Sequence, residues 1–443
     1  MEFTTDDQTI KDLNIFPKQK EESSLFDYFN ECSTWGGKEE LRLMFCHPSN
    51  DLKLIYARIK VFKYIQENDL RFNFNKERLD LIEFYLKQNT AVLRDHYFDA
   101  LVARISYKIK PKNEAYIIQR GLAYLSEHLY LLQNFFQDLE PTTLPDFLHL
   151  FLQDLKLINA IPKLNSFVNP IDKKMIFRQV HRFDYLIRKT MLKTIQRLIS
   201  FTYKLDAFIS VVQVMKKNKL CLPQIKPDAK PYLKIKSFFH PFLKSPVKNN
   251  LEILANKNLC FVTGSNMSGK STFLKTMGLC VYLSHMGFPV PAQEIELSLF
   301  NGLFTTINIS DDINQGYSHY FSEVKRVKEI AVHLKEKKNV MVIFDELYRG
   351  TNVKDAYDAT LLVSQGFTKA KRSLFFISSH IIEIGQPLKE NARVDFKCLE
   401  SELIDHQAVY NYRLKEGLSS ERLGLSILKN EKVLEIMDSL SEA

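Results

Sequence analysis

The run Gly264-Ser265-Asn266-Met267-Ser268-Gly269-Lys270-Ser271-Thr272 has the residue types and spacing of a phosphate-binding loop. It fits GxxxxGK[ST], in which glycines let backbone N–H groups curl around phosphate oxygens and a following helix adds its positive end. Lys270 would reach the β- and γ-phosphates, and the Ser271 hydroxyl would ligate Mg2+. A strand-like stretch, Leu259-Cys260-Phe261-Val262, precedes the loop, and a helix-like stretch begins at Thr272. That setting is the one in which the motif works, so a nucleoside triphosphate is the expected ligand.

A second group of candidates lies downstream. Asn339–Phe344 is an apolar strand ending in Asp345 and Glu346. At the C-terminal edge of a parallel sheet both carboxylates would sit beside the loop. Asp345 would hold Mg2+ through water, and Glu346 would act as general base toward an attacking water. An ordinary strand end capped by acids is the plainer reading, and the loop 75 residues upstream argues against it. Ser378-Ser379-His380 ends another apolar strand, which places His380 to contact the γ-phosphate or the water and so to sense the nucleotide. Between these lies Asp311-Asp312-Ile313-Asn314-Gln315-Gly316-Tyr317-Ser318, which opens a helix. There Gly316 frees the backbone and Ser318 is suited to cap the helix, a second phosphate receptor.

Holding these residues requires strands and helices in alternation. Leu259–Thr263, a helix from Ser271, Val340–Phe344, a helix from about Val353 and Ser373–Ser378 supply it, so residues 221–443 read as an α/β domain with a largely parallel sheet. Residues 25–220 read as helical, with Gly36, Gly37 and Gly121 the only glycines. Apolar residues at three- and four-residue steps from Ile176 to Val212 predict one long helix over 172–217, with two shorter helices as the alternative. Residues 1–24 are polar and read as a loosely held tail.

Composition narrows the classes. The 443 residues carry a net charge of +9, and residues 151–230 hold sixteen Lys and Arg against five Asp and Glu. A basic stretch from Lys173 to Lys219 suits nucleic-acid phosphates, and it equally suits a solvated helix face. The sequence has no run of 18 uncharged apolar residues and opens on acidic residues, so neither a membrane span nor a secretory signal is expected. Six scattered cysteines without a CxxC pair read as buried thiols of a reducing cytoplasm, with no metal site of their own.

Together these elements resemble the MutS family of DNA mismatch-repair ATPases, a branch of the ABC-type ATPases. The family loop reads TGPNMGGKST against TGSNMSGKST here, and its signature DDxxxGxSxF stands against DDINQGYSHY, with Tyr320 at the aromatic position. Its DEIGRGT stands against DELYRGT at 345–351, and its ATH against Ser378-Ser379-His380. Upstream, His240-Pro241, Leu205–Ser210 and Thr34–Leu41 are similar to the family's GRHP segment and to parts of its lever domain.

The resemblance implies an ABC-type P-loop ATPase domain preceded by an all-helical lever domain, and ATP with Mg2+ at the interface of a dimer. In that arrangement Ser318 would act in trans on the γ-phosphate, and the dimer partner would be a second copy or a longer relative. Residues resembling the family's mismatch-recognition, connector and clamp elements are not found, so DNA contact without mismatch specificity is expected. A nucleotide-switched module gripping a protein partner is the other reading. Ser268 replaces a family glycine, and Pro246 stands where the family offers an aromatic residue to adenine, leaving Val247 for apolar contact.

Overall fold

The computed structural model describes residues 3–17, 23–89, 91–100, 102, 113–137, 139–168, 175–227, 230–307, 319–336, 339–404 and 407–419. The first helices are α1 (Asp7–Asp12), α2 (Leu25–Phe29), α3 (Trp35–Cys46), α4 (Leu52–Glu67) and α5 (Lys76–Leu86). They are followed by α6 (Asn113–Gln137), α7 (Asp146–Asn159), α8 (Pro162–Val168), α9 (Phe177–Tyr185) and α10 (Leu192–Asn218). Strands β1 (Gln224–Lys226), β2 (Leu233–Phe238), β3 (Asn249–Ile253) and β4 (Leu259–Gly264) precede α11 (Lys270–Met286). Then come β5 (Glu294–Ser298), β6 (Gly302–Thr306), α12 (His319–Glu336), β7 (Val340–Asp345), α13 (Val353–Thr368) and β8 (Leu374–Ser379). A short α14 (Gly385–Leu388), β9 (Val394–Ile404) and β10 (Gln407–Glu416) complete the described chain.

The chain forms two compact units, one of residues 1–28, 45–59 and 214–443 and one of residues 29–44 and 60–213. These boundaries differ from the expected 25–220 and 221–443 because upstream segments are bonded into the first unit. Tyr282 donates to the Phe45 carbonyl at 2.5 Å, Arg58 to Met286 O at 3.0 Å and Tyr56 to Ile225 O at 2.7 Å. His285 and Ser49 are joined by Ser49 N–H to His285 O at 2.8 Å and by His285 Nδ1 to Ser49 O at 2.9 Å.

In the first unit a six-stranded sheet has the order β10-β9-β4-β8-β7-β6, parallel except for the β9–β10 hairpin. β4, β7 and β8 are buried at every residue, the pattern of parallel strands covered on both faces. The stacked rings of Phe344, Phe367 and Phe375 lie in the core on one face, and α11 packs on the same sheet. A second sheet has the order β1-β5-β2-β3.

The N-terminal segment is not the loose tail expected from its polarity. Phe3, Leu13 and Ile15 are buried, and Thr4 pairs with Gly302 on the edge strand β6. Thr305 N–H donates to Thr9 Oγ1 at 2.9 Å, while Asp12 accepts from Thr305 Oγ1 at 2.8 Å and Ile307 N–H at 2.9 Å. The segment thus covers a row of backbone groups that an open edge would expose. Its few apolar residues find partners of their own: Phe3 stacks on His285, and Phe16 meets Phe26 and Phe45.

The helical unit corrects the single long helix. Helix α9 passes into a π-helical turn at Leu186–Thr190, and α10 begins after Met191. Here Asp184 is fully buried and accepts from Arg188 Nε at 2.7 Å, Arg188 Nη2 at 2.8 Å, Tyr85 OH at 2.9 Å and Leu93 N–H at 2.8 Å. A π-helical turn of this kind is one of the places where a long helix kinks. The apolar window of α10 is long enough to cross a membrane, and 78% of it is buried inside the protein, as in a core helix. Cys46 is exposed and Cys32 and Cys221 half-buried, so only Cys260, Cys280 and Cys398 match the expectation of buried thiols.

Because Asp184 has no solvent to turn to, Arg188→Leu should destabilise the chain by about 3–5 kcal/mol. A urea midpoint unchanged from wild type would contradict this internal ion pair as a stabilising contact.

Candidate functional site

The site lies where β4, β7 and β8 end. Register fixes it: Thr263 pairs with Ser379, and Asp345 pairs with Ser378, so loop, acids and histidine leave the sheet at one edge. Gly264 has φ +152, and a Cβ there would meet Ser268 Oγ at 2.7 Å and Leu399 O at 2.8 Å. Gly269 has φ +98 and serves as the N-cap of α11, so both glycines of the motif occupy backbone conformations that side chains rarely adopt. Ser268, which replaces a family glycine, is not among the positive-φ residues, and its buried hydroxyl has no hydrogen-bond partner.

Lys270 is nearly buried. Its ammonium donates to Gly264 O at 2.9 Å and Ser265 O at 3.0 Å, and lies 3.4 Å from Glu346 Oε1. Arg349 Nε lies 2.9 Å from Glu346 Oε2, and His380 Nδ1 lies 3.8 Å from the same oxygen. The His380 ring facing it, with Lys270 and Arg349, holds the Glu346 carboxyl at about 2 despite burial. At 3.8 Å the histidine is beyond an ordinary hydrogen bond, so the tighter contact is the Arg349 ion pair. Ser378 Oγ donates to Asp345 Oδ1 at 2.5 Å and receives the Glu346 N–H at 3.1 Å, which anchors both acids to β8.

The turn after β7 is strained. Glu346 has φ +52 and Tyr348 φ +64. Left-handed backbone at a bulky residue costs about 1–3 kcal/mol and persists only when the surroundings impose it. Ser378 supplies part of that constraint through the Glu346 N–H, and the burial of Tyr348 supplies another part.

Lys270, Glu346 and the loop open on a cleft of about 750 Å3. Asn266, Met267, Ser268, Gly269, Ser271, Thr272, Pro246 and Val247 line it, so the structure gathers these expected residues around one space. His240 also lines it, and burial with nearby Lys275 lowers its pKa to about 4, keeping it neutral at pH 7. The oxygen donors of Ser271 and Asp345 suit Mg2+, which takes one or two carboxylates beside substrate phosphates and water. Among the described residues no cluster of three or more His, Cys, Asp and Glu forms a separate metal cage. Ser318 and the rest of 308–318 lie outside the described residues, and α12 begins at the next described position, His319.

Two residues of the site were not singled out from sequence. Arg349 is one, although it stands at the arginine of the DELYRGT segment and three residues from Glu346. Tyr412 is the other. It lies in an irregularity of the β9–β10 register, between Tyr410 and Leu414, with φ +56 and 45% exposure. Asn249 pins it there, donating to Tyr412 O at 2.9 Å and accepting from Leu414 N–H at 2.8 Å. A bulge re-aims a side chain, and this one brings the ring of Tyr412 to the cleft beside Gly269. Only the hairpin register reveals it; an aromatic residue in a strand carries no such signal alone.

The family model for MutS domain III matches residues 8–324, and that for MutS domain V matches residues 260–439. The chain belongs to the MutS family. MutS protein homolog 4 of Homo sapiens is 28% identical over 259 residues, 55% of this chain and 27% of that protein. The Mus musculus protein of the same name matches to the same extent. DNA mismatch repair protein MutS of Listeria welshimeri is 25% identical over 245 residues, 54% of this chain and 28% of that protein. The alignment therefore spans just over a quarter of these relatives' length. The MutS domain V match contains the loop, Asp345, Glu346, His380 and Tyr412, whereas Pro246 and Val247 lie within the domain III match alone.

A folded-state pKa near 2 against an ordinary value of 4.5 means that Glu346 adds stability above pH 4.5 and loses it as pH falls toward 2. The full effect is at most about 3 kcal/mol. The unfolding free-energy difference between wild type and Glu346→Gln should therefore shrink from pH 5 to pH 2. A pH-independent difference would show that the carboxylate is not held ionised by its neighbours.

Proposed function

We propose that this MutS-family chain is an ABC-type P-loop ATPase that hydrolyses ATP to ADP and phosphate. The observation that carries the reading is the Lys270–Glu346 contact of 3.4 Å at the mouth of the cleft. It places a phosphate-binding cation and a candidate base within one phosphate group's reach of each other.

In this reading Lys270 exchanges the Gly264 and Ser265 carbonyls for the β- and γ-phosphate oxygens. Backbone N–H groups of the loop and the N-terminus of α11 bind the same phosphates. Ser271 and Asp345 hold Mg2+, which supplies charge neutralisation when bound. Glu346 orients a water whose oxygen bonds to the γ-phosphorus as the bond to the β–γ bridging oxygen breaks, and that oxygen leaves with ADP. The water proton passes to Glu346. Transfer of Lys270 to phosphate removes one cation from Glu346 and so raises its basicity at the moment it is needed. His380, 52% exposed beside Glu346, would respond to the γ-phosphate. The base would pack between Val247 and Tyr412, the latter standing in for the aromatic residue that Pro246 displaces.

Lys270→Ala should abolish ATP binding, and Glu346→Gln should keep binding while lowering phosphate release by about 100-fold or more. Unchanged ATP binding by Lys270→Ala would refute the site.

We further propose a dimer in which Ser318 of each subunit completes the other's site. Mixing Ser318→Ala with Glu346→Gln should then restore one working site per dimer. Activity no greater than that of either variant alone would remove action in trans.

DNA contact is proposed through exposed members of the basic stretch in the helical unit, including Lys189 and Lys193, in keeping with the DNA mismatch repair named for the Listeria relative. Arg188 is not available, being buried on Asp184, and Arg197 is paired with Asp154. Retention on duplex DNA should fall steeply with salt. A salt-insensitive ATPase rate, unchanged by DNA, would favour the protein-partner reading instead.

A further inference from the structure

Tyr348 follows Glu346 by two residues and occupies left-handed backbone, φ +64, with only 3% of its surface exposed. A bulky residue in that conformation is an outlier that the surroundings must hold in place. Its ring meets Tyr320 in the first turn of α12, with centroids 5.4 Å apart and planes inclined at 50°. Burial, then Tyr320 and Glu323, pushes the Tyr348 hydroxyl up to about 12, so the phenol stays neutral under the helix. Leu347 and Tyr348 belong to the same core cluster as Phe344, Ile381 and Ile384, and Tyr320 packs against it.

The turn 345–349 is therefore gripped from two sides. Ser378 holds the Asp345 carboxylate and the Glu346 N–H from β8, and Tyr348 anchors the following residues beneath α12. Helix α12 is itself fixed further along. Arg326 lies 2.6 Å from Asp6 and donates to Thr305 O at 2.9 Å, and His333 stacks on Phe304 at 4.9 Å. Its later turns ride with β6, while its first turn reaches the acidic loop through Tyr320. At these two positions the family pattern has glycine and phenylalanine; this chain has two tyrosines in contact.

We propose that Tyr348 is a positioning residue whose packing on Tyr320 makes the placement of Glu346 depend on the position of α12, and the reverse. The inference rests on the ATPase reading above. Close-packed rings do not deform continuously, so a shift of α12 must either carry the turn with it or break the contact. The coupling is reciprocal: a ligand that fixes Glu346 also fixes the first turn of α12.

The test measures kcat and KM for phosphate release, with the Kd of a fluorescent ATP analogue, on the full chain. Tyr348→Gly frees the backbone strain and should keep Kd and KM within about twofold while lowering kcat about tenfold. Tyr348→Phe should retain wild-type kcat. Tyr320→Leu keeps apolar burial and should give the same loss from the α12 side, should the glycine variant not fold. The double variant Tyr320→Leu/Tyr348→Gly should be no slower than the slower single variant. Wild-type kcat in Tyr320→Leu and in a folded Tyr348→Gly, a loss carried by KM or Kd, or losses that multiply in the double variant would each overturn the proposal. Phosphate release by wild type no greater than by Lys270→Ala would instead sink the ATPase reading, and the positioning role with it.

Discussion

The register of three buried parallel strands is the constraint on which the site depends. β4, β8 and β7 carry no polar outer face, so packing on both sides fixes how they slide against one another. A shift of one residue would turn every side chain to the opposite face. With Val262 on Ser378 and Phe344 on Ile377, the loop, the acids and the histidine emerge together at the sheet's C-terminal edge. The chemistry is thus specified by residues such as Phe261, Val342 and Phe376, none of which touches the cleft.

Charge at that edge is organised as mutual restraint. Lys270, Arg349 and His380 surround the Glu346 carboxylate, and Asp345 is held by Ser378 with Arg349 3.7 Å away. The group that would accept a proton is thereby kept as a poor base in this arrangement, and the cation that would bind phosphate is satisfied by backbone oxygens. Removing one restraint changes the character of the others, as expected for a polar network in a low-dielectric cleft.

The legible part of the fold was local. Short apolar runs gave β4, β7 and β8 to within a residue or two, and α13 begins at Val353 as expected. Lys270, Glu346 and His380 could be found because each follows such a strand. What escaped depends on partners distant in sequence. The π-helical turn before α10 adjoins Asp184, which Tyr85 and Leu93 reach from far upstream, and no periodicity between 176 and 212 records those bonds. Tyr412 is aimed by Asn249, 163 residues earlier, and the unit boundaries are drawn by bonds such as that of Tyr282 to Phe45. The N-terminal residues read as a loose tail because only a few of them are apolar, whereas their polar members Thr4, Thr9 and Asp12 bond to the edge of a sheet made of later residues.

That last arrangement bears on how the chain is made. Thr4 pairs with Gly302, so one side of the sheet cannot be closed until nearly 300 residues have followed the segment that closes it. At ~5–20 residues per second that interval is roughly 15–60 s. Throughout it Thr4 has no β6 to pair with, and Phe3 lacks the His285 ring on which it stacks until α11 has been made. Completion of the sheet is a long-range closure, slow by topology and late in synthesis. The first residues of the chain are thus among the last to find their native places.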